Sequence, residues 1–581
     1  MTGEYHGRLF TKYLPGYPSV LAVSLALFGT AVPALGIIAG GWVVSTYAAG
    51  LQLLGSRRTA LLAAGLVALS PIAIVQSALY LSYTLSSALI FTGVATLLMR
   101  LSTGRRRWSV VAGVLFGAAL LTRTFDVFVA GLPLVLLLAG RFRHEARRLA
   151  RAVGWSAVGA LPLVVLLLAY NAAVTGSPVR MPLPAVEPLD TFGFGLRRIM
   201  PGDPLTPYHG RRAVLATAHN LALVPKWSAG GLLLALLAIL GAVLVRRRLE
   251  TLFLLAVVLA FPACYFFFWG SYITSQGIGQ VIGPFYYTTA FVPLAMLAAQ
   301  GLVAIADAVP RRTAIPALAA VAAVAVVLTT LNMKPLQQFH AEKRRNQDRL
   351  LALIPPRAQL RTPAVVLVQM PYGSRYVGVS QPYLDNDPRL RNPVLFAASR
   401  AAGDNHLPDE SGGRALYVLR PSQTSASDVF GARGAGAFAP LSVVGGSRLR
   451  VTVEGWTSKP GSCLTGYVNW GREKWRTELT CASRPGQVYR KDLEVGPVGE
   501  LPLPSPGQDV LLTIGVGERP AGSKSEDLSD ARVSLGVRPG APPRAVALTP
   551  GEPWRFLHFP ASSAWVNTDV SENIAYQITP G

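Results

Sequence analysis

Up to about Asn332 the chain alternates apolar runs with short arginine-rich turns, and the runs have the length that a hydrocarbon core of about 30 Å demands. The pattern predicts about ten membrane spans, near 33–54, 59–76, 84–101, 108–122, 126–140, 152–170, 228–245, 251–269, 285–307 and 313–331. Tyr17 to Leu35 is also apolar. Counting it as a span would move every arginine cluster to the other face, so it reads as an interfacial or re-entrant helix on the outer leaflet. The break at 172–228 is then a long outer loop.

After Asn332 no such run recurs. Pro335 to Ile354, with its charged KRRNQDR stretch, reads as a helix leaving the membrane. Strand-like segments follow at Ala364–Val368 and Ala415–Leu419. From about Ser442 apolar residues alternate with polar ones, as in Leu449, Val451 and Val453, and Gly, Pro and Ser clusters break the alternation. That is the pattern of a β-sandwich. The expected fold is an α-helical polytopic membrane domain over 1–332, a linker and small α/β region over 333–434, and a β-sandwich-like domain over 435–581.

Composition agrees: 51% of the 581 residues are hydrophobic and 14% charged, and mean hydropathy is +0.39. The net charge of +24 sits largely in the turns, at Arg57-Arg58, Arg105 to Arg107, Arg141 to Arg151, Arg246 to Arg248 and Arg311-Arg312. With one crossing per run these clusters share a face, and the positive-inside rule makes it cytoplasmic. The charge therefore orients helices and meets anionic lipid, and does not imply nucleic acid. The remaining expectation is an integral plasma (inner) membrane protein whose C-terminal region is extracytoplasmic. In that compartment Cys463 and Cys481 can form a disulfide, while Cys264 lies in a span. The seven histidines are scattered, so no metal site is expected, and no glycine loop for nucleotides appears.

Chemistry gathers at the outer ends of the runs. FTKYLPGYP (Phe10 to Pro18) opens the interfacial helix. SPIAIVQSALYLSYTLSSAL (Ser70 to Leu89) crosses a polar outer turn, and LLTRTFDVFVAGLPL (Leu120 to Leu134) puts Arg123 and Asp126 where a helix emerges. LAYNAAVTGSPVRMPLP (Leu168 to Pro184) and DTFGFG (Asp190 to Gly195) begin the long loop, which carries Arg197, Arg198, Arg211 and Arg212. WGSYITSQGIGQVIGPFYYTTAFVPLAMLAAQGL (Trp269 to Leu302) adds a Gly/Pro turn and aromatics.

In this order the segments resemble the GT-C superfamily of polyprenyl-phosphate-sugar glycosyltransferases, of the protein O-mannosyltransferase and aminoarabinose transferase type. The resemblance covers about residues 1 to 332. It implies a membrane glycosyltransferase of the cell envelope that moves a sugar from a polyprenyl-phosphate donor to an acceptor hydroxyl at the outer face. Its partners would be membrane lipid, the lipid-linked donor and a glycan, lipid or protein acceptor. No cofactor is expected beyond the donor substrate.

The implied donor-phosphate residues are Lys12, Tyr13, Arg123, Arg197, Arg198, Arg211 and Arg212. In such enzymes a first-loop Asp or Glu ahead of the segment resembling FTKYLPGYP is the general base. Here Glu4 is too close to match it, so the chain reads as beginning past the family's first span and as lacking the acid on which activity in the family rests. Asp126, Glu187 and Asp190 are the other acids that could serve. Phe285 stands where related sequences often place an arginine. The alternatives are a transporter of lipid-linked glycans, which calls for interrupted helices and mid-membrane charges, or a non-catalytic glycan-binding protein in which Trp456, Trp470, Trp475 and Trp554 stack on sugars.

Overall fold

The computed structural model describes residues 2–6, 8–199, 205–245, 248–352, 354–368, 386–387, 390–399, 401–421, 436–457, 460–481, 484–523, 526–550, 554–555 and 574–581. Two compact units emerge, Met1–Gln337 and Gln338–Gly581.

The first unit is helical: α1 (Gly16–Phe28), α2 (Val32–Leu54), α3 (Arg57–Ala68), α4 (Pro71–Ser77), α5 (Tyr83–Thr103), α6 (Arg106–Arg141), α7 (Ala146–Thr175), α8 (Pro182–Val186), α9 (Gly210–Trp227), α10 (Leu232–Leu244), α11 (Leu249–Tyr265), α12 (Gly270–Ile273), α13 (Gly279–Ile282), α14 (Phe291–Ala308) and α15 (Arg311–Leu351). Two short hairpins join them, β1 (Thr2–Tyr5) with β2 (Arg8–Thr11), and β3 (Gly195–Arg197) with β4 (Thr206–Tyr208).

Among the described residues six helices are long and apolar enough to cross a bilayer, or eight if each of two bent pairs counts as one span. The sequence count of ten is reached by dividing α6 and by admitting α11, which falls short of the usual span length. The division of α6 has a structural basis. Arg123 has non-helical φ −151° and ψ 86°. Phe116 shares one small void with Ala130 and Gly131, although these would stand about 21 Å apart on a straight helix. A Cβ on Gly113 or Gly117 would strike Ser156, Ala160 or Leu163 in step along α7. The first half of α6 thus runs alongside α7, and the second half doubles back at Arg123.

Two expectations change. The 172–228 loop holds α8, the β3–β4 hairpin and the whole of α9, which meets α10 at 100°. Residues 228–245 therefore form only the second arm of a bent pair. The charged KRRNQDR stretch is no separate helix either, because α15 is continuous through Pro316 and Pro335. At the end of α6 away from Arg123, Arg141 bonds Glu250 at 2.6 Å and Arg148 donates to the Leu101 carbonyl. Arg246 and Arg247 lie outside the described residues.

Glycines set the closest helix contacts. A Cβ on Gly241 would lie 2.0 Å from Leu297 O, and one on Gly301 2.2 Å from Leu237 O, so α10 and α14 touch backbone to backbone. Without a hydrophobic drive between helices in lipid, such close approach is how packing is gained.

The second unit contains β5 (Ala364–Val368), β6 (Val394–Ala398), β7 (Ala415–Pro421), β8 (Gly436–Gly446), β9 (Leu449–Gly455), β10 (Cys463–Trp470), β11 (Glu473–Thr480), β12 (Tyr489–Val495), β13 (Asp509–Arg519), β14 (Asp527–Arg538), β15 (Arg544–Pro550), β16 (Trp554–Arg555) and β17 (Ile574–Pro580). A nine-stranded sheet has the order β11-β10-β13-β14-β15-β8-β7-β5-β6, and a four-stranded sheet the order β12-β9-β17-β16. The alternating residues Leu449, Val451 and Val453 meet Leu512, Ile514 and Val516 in the core. β7 pairs with β8 across the expected boundary near residue 435. The parallel strands β5, β6 and β7 therefore extend the sandwich sheet and form no separate layer. Cys463 and Cys481 are disulfide-bonded, and Trp470 and Trp475 pack against the core. A Cys463, Glu478 and Cys481 cluster has metal-like spacing, but disulfide sulfurs are not the thiolates a metal needs.

Gly241→Ala is expected to lower the unfolding midpoint of the detergent-purified protein, at a cost of about 1–3 kcal/mol for overpacking. A second prediction concerns Asp509, which accepts from Asn405 Nδ2 at 2.9 Å and lies 2.7 Å from His406 Nε2. Burial opposes its ionisation, but the hydrogen bonds from Asn405 and His406 and the charges of His406 and Arg538 outweigh it and hold the carboxyl below its ordinary range. The stability this gives is complete above the unfolded value of about 3.9 and is lost as pH falls through the lower folded value. The stability gap between wild type and Asp509→Asn should therefore shrink as pH falls below about 4.

Candidate functional site

The fold-back of α6 creates a crevice floored by a closed ring of three side chains. Arg123 Nε donates to Asp126 Oδ2 at 2.9 Å and Arg123 Nη2 to Tyr265 OH at 2.8 Å. Tyr265 OH in turn donates to Asp126 Oδ1 at 2.5 Å. The guanidinium also lies 3.8 Å over the Tyr83 ring. An extended residue at a helix break frees its side chain from the helix surface, and a planar guanidinium suits such stacking. Its Nη1 makes no hydrogen bond to the described residues.

The PGYP turn docks on this break. A Cβ on Gly16 would fall 2.7 Å from Leu121 O and 2.6 Å from Thr122 Oγ1, so only glycine permits the contact. Tyr17 OH donates to Leu79 O at 3.2 Å. The docked turn brings Lys12 inward, where it is 1% exposed, ion-paired with Asp190 and 2.7 Å from the Ile199 carbonyl. Trp269 Nε1 donates to the other Asp190 oxygen at 2.8 Å. A buried lysine needs such a partner, since leaving either charge alone costs about 3–5 kcal/mol.

Asp190 is held by the turn before it. Its N–H donates to the Glu187 carbonyl at 3.0 Å. The fully buried Glu187 carboxylate accepts from Leu189 N at 3.0 Å and Arg198 Nε at 2.8 Å. Each candidate acid is thus paired with a cation: Asp126 with Arg123, Asp190 with Lys12, and Glu187 with Arg198.

An aromatic wall ties the parts together. Phe125 and Phe192 lie 4.3 Å apart, Phe192 and Phe268 4.7 Å, Tyr265 and Tyr286 5.0 Å, and Tyr83 and Phe285 5.1 Å, between ring centres. Tyr13 borders the same space. About half of its surface is open, yet desolvation raises its phenol pKa, the Asp190 carboxylate adds to the rise and Arg123 opposes it. Tyr13 therefore lies near both charged groups.

The other candidates stand elsewhere. Arg197 fastens its own loop, with Nη2 donating to Phe192 O at 3.1 Å and Phe194 O at 2.9 Å. Arg212 donates to the Pro207 carbonyl and lies 5.2 Å over Tyr272. Arg211 is exposed. Tyr83, Tyr265, Trp269 and Tyr286 complete the crevice without having been singled out as site residues. Their one signal is aromatic clustering where spans end, which also marks ordinary interface anchors.

Residues 364–494 match a family described as a domain of unknown function (DUF7846). No curated protein matches the chain. Among solved structures the chain is similar to ArnT from Cupriavidus metallidurans, crystallised bound to undecaprenyl phosphate, with 15% sequence identity and a TM-score of 0.46 over 72% of this chain and 85% of that one. So distant a likeness assigns no role to any residue here.

Lys12→Met strands Asp190 in the crevice and should destabilise the protein by about 3–5 kcal/mol. Adding Asp190→Asn should recover most of that loss, read as the thermal midpoint of the two variants in one detergent.

Proposed function

We propose that the protein is a membrane glycosyltransferase that carries a sugar from a polyprenyl-phosphate donor to an acceptor hydroxyl. The observation supporting this is the approach of the Lys12–Asp190 pair and of Arg123 to one aromatic cluster. They come from three of the segments on which the sequence resemblance rests. The proposal includes an inner-membrane location with the crevice and the C-terminal unit on the outer face. The acceptor is defined only as a hydroxyl.

The ion pairs shape the mechanism. A phosphate reaching Lys12 must displace Asp190, while Arg123 can offer Nη1 without leaving Asp126. Phosphate binding thereby exchanges one anion for another on Lys12 and releases the Asp190 carboxylate, still anchored by Trp269. The acceptor oxygen then attacks the anomeric carbon, and the bond from that carbon to the phosphate oxygen breaks with its electron pair passing to phosphate. The acceptor proton goes to Asp190 Oδ2. Lys12 and Arg123 stabilise the charge growing on the leaving group, and Asp190 acts as general base. Asp126 and Glu187 position Arg123 and the Asp190 turn. Phe285, packed against Tyr83, supplies no charge, so Arg123 stacked over that same tyrosine carries the second phosphate contact.

A transporter would need charges at mid-membrane depth. The two bent helix pairs meet one part of that description, but the buried acids of the first unit that are described, Asp126, Glu187 and Asp190, all belong to the crevice and its supporting turn.

The test uses the full chain in nanodiscs with polyprenyl-phosphate sugars. Asp190→Asn should retain polyprenyl-phosphate binding while transfer falls by about 10²–10⁴-fold, and Arg123→Gln should lose binding. Transfer at the wild-type rate in Asp190→Asn would remove the base. If the wild type neither bound nor turned over any such lipid, the glycosyltransferase reading itself would fail.

A further inference from the structure

A second feature of the first unit lies far from the crevice. A groove of about 970 Å³ runs between α3–α4 on one side and α10 and α15 on the other. Its walls are apolar, with Leu61, Leu66, Leu69, Leu237 and Val326 typical, and Arg57 and Arg58 stand at one mouth. Met333 and Gln337 lie at the other end. Arg58 pairs with Asp307 at 3.4 Å, both side chains exposed. Asp307 closes the span Phe285–Ala308, which begins beside Tyr83 and Tyr286 in the crevice. The arginine mouth and the crevice are therefore at opposite ends of the same helix.

Length and charge identify an occupant. The lining positions on α15 from Val321 to Gln337 cover about 24 Å at 1.5 Å per residue, and the arginine mouth lies beyond them. Half of a hydrocarbon core is only about 15 Å. A chain that starts at the arginines and fills the groove must pass the midplane, which an ordinary acyl chain of one leaflet does not do. Two guanidiniums against one carboxylate leave net positive charge at the mouth, where a phosphate headgroup fits.

We propose that this groove binds a polyprenyl phosphate, with the phosphate on Arg57 and Arg58 and the isoprenoid chain lying along α15 past the midplane. The site is distinct from the crevice and does not depend on the transfer chemistry there. An ordinary two-chain phospholipid is the competing occupant.

The experiment uses the full chain in nanodiscs and a polyprenyl phosphate carrying a photoactivatable diazirine on its terminal isoprene, with labelled peptides identified by mass spectrometry. Label should fall on Thr329, Thr330 and Met333 and persist in the Lys12→Met, Asp190→Asn double variant, which removes the crevice's ion pair without stranding either charge. Arg57→Gln with Arg58→Gln should reduce it on the order of tenfold. Val326→Trp, at an exposed groove position, fills the groove and spares the arginines and should abolish it, with unchanged unfolding midpoints showing that both variants fold. Labelling that survives both variants overturns the proposal. So does equal labelling of the same residues by a phosphatidylglycerol with the diazirine at its acyl terminus.

Discussion

The break at Arg123 is the constraint on which the first unit depends. One extended residue interrupts α6, and the two halves lie side by side because Arg123, Asp126 and Tyr265 satisfy one another at the fold-back. The same residue offers the surface against which the PGYP turn docks and the guanidinium that covers Tyr83. A buried charged group needs a partner, and here the pairing partner and the structural clasp are the same side chains. The far end of the second half is fastened to α11 by Arg141 and Glu250, so the two helices are tied at both ends.

Pairing each cation with an acid has a functional consequence. An unpaired buried lysine would tend to lose its proton, and an unpaired buried carboxylate would tend to gain one. Lys12, only 1% exposed, meets Asp190 as its partner. An incoming anion then meets a competitor on Lys12, whereas Arg123 Nη1 makes no hydrogen bond to the described residues. In the proposed reaction the donor phosphate would compete with that carboxylate for Lys12.

Much of the helical architecture was legible because bilayer thickness imposes a run length and arginines mark one face. The fold-back of α6 was legible too, from a charged pair in the middle of an apolar stretch. α9 was hidden, because its apolar residues Val214, Leu215 and Leu221 follow Arg211-Arg212 and are interrupted by Thr217, His219 and Asn220, so the stretch read as loop. The sheet order of the second unit was hidden as well. Period-two alternation reveals strands, but β7 beside β8 and β5 beside β7 are partnerships set by side-chain packing between distant segments. In the crevice Lys12, Arg123 and the three acids stood out as charges among apolar residues, while Tyr265 and Trp269 looked like membrane-interface aromatics.

The sequence by itself determined which stretches enter lipid, which face carries the arginines and which segments hold polar chemistry, since hydropathy and charge are local properties that solvent reads directly. Only the tertiary structure decided which acid serves which cation. Lys12 meets Asp190, Arg123 meets Asp126 and Tyr265, and Arg198 meets Glu187, whereas Arg197 and Arg212 turn to their own loop carbonyls and neighbouring rings. The reason is geometric. An ion pair needs atoms within a few ångströms, and that proximity arises here from a glycine that lets a turn rest on a helix break, a property of packed surfaces and not of residues taken in order.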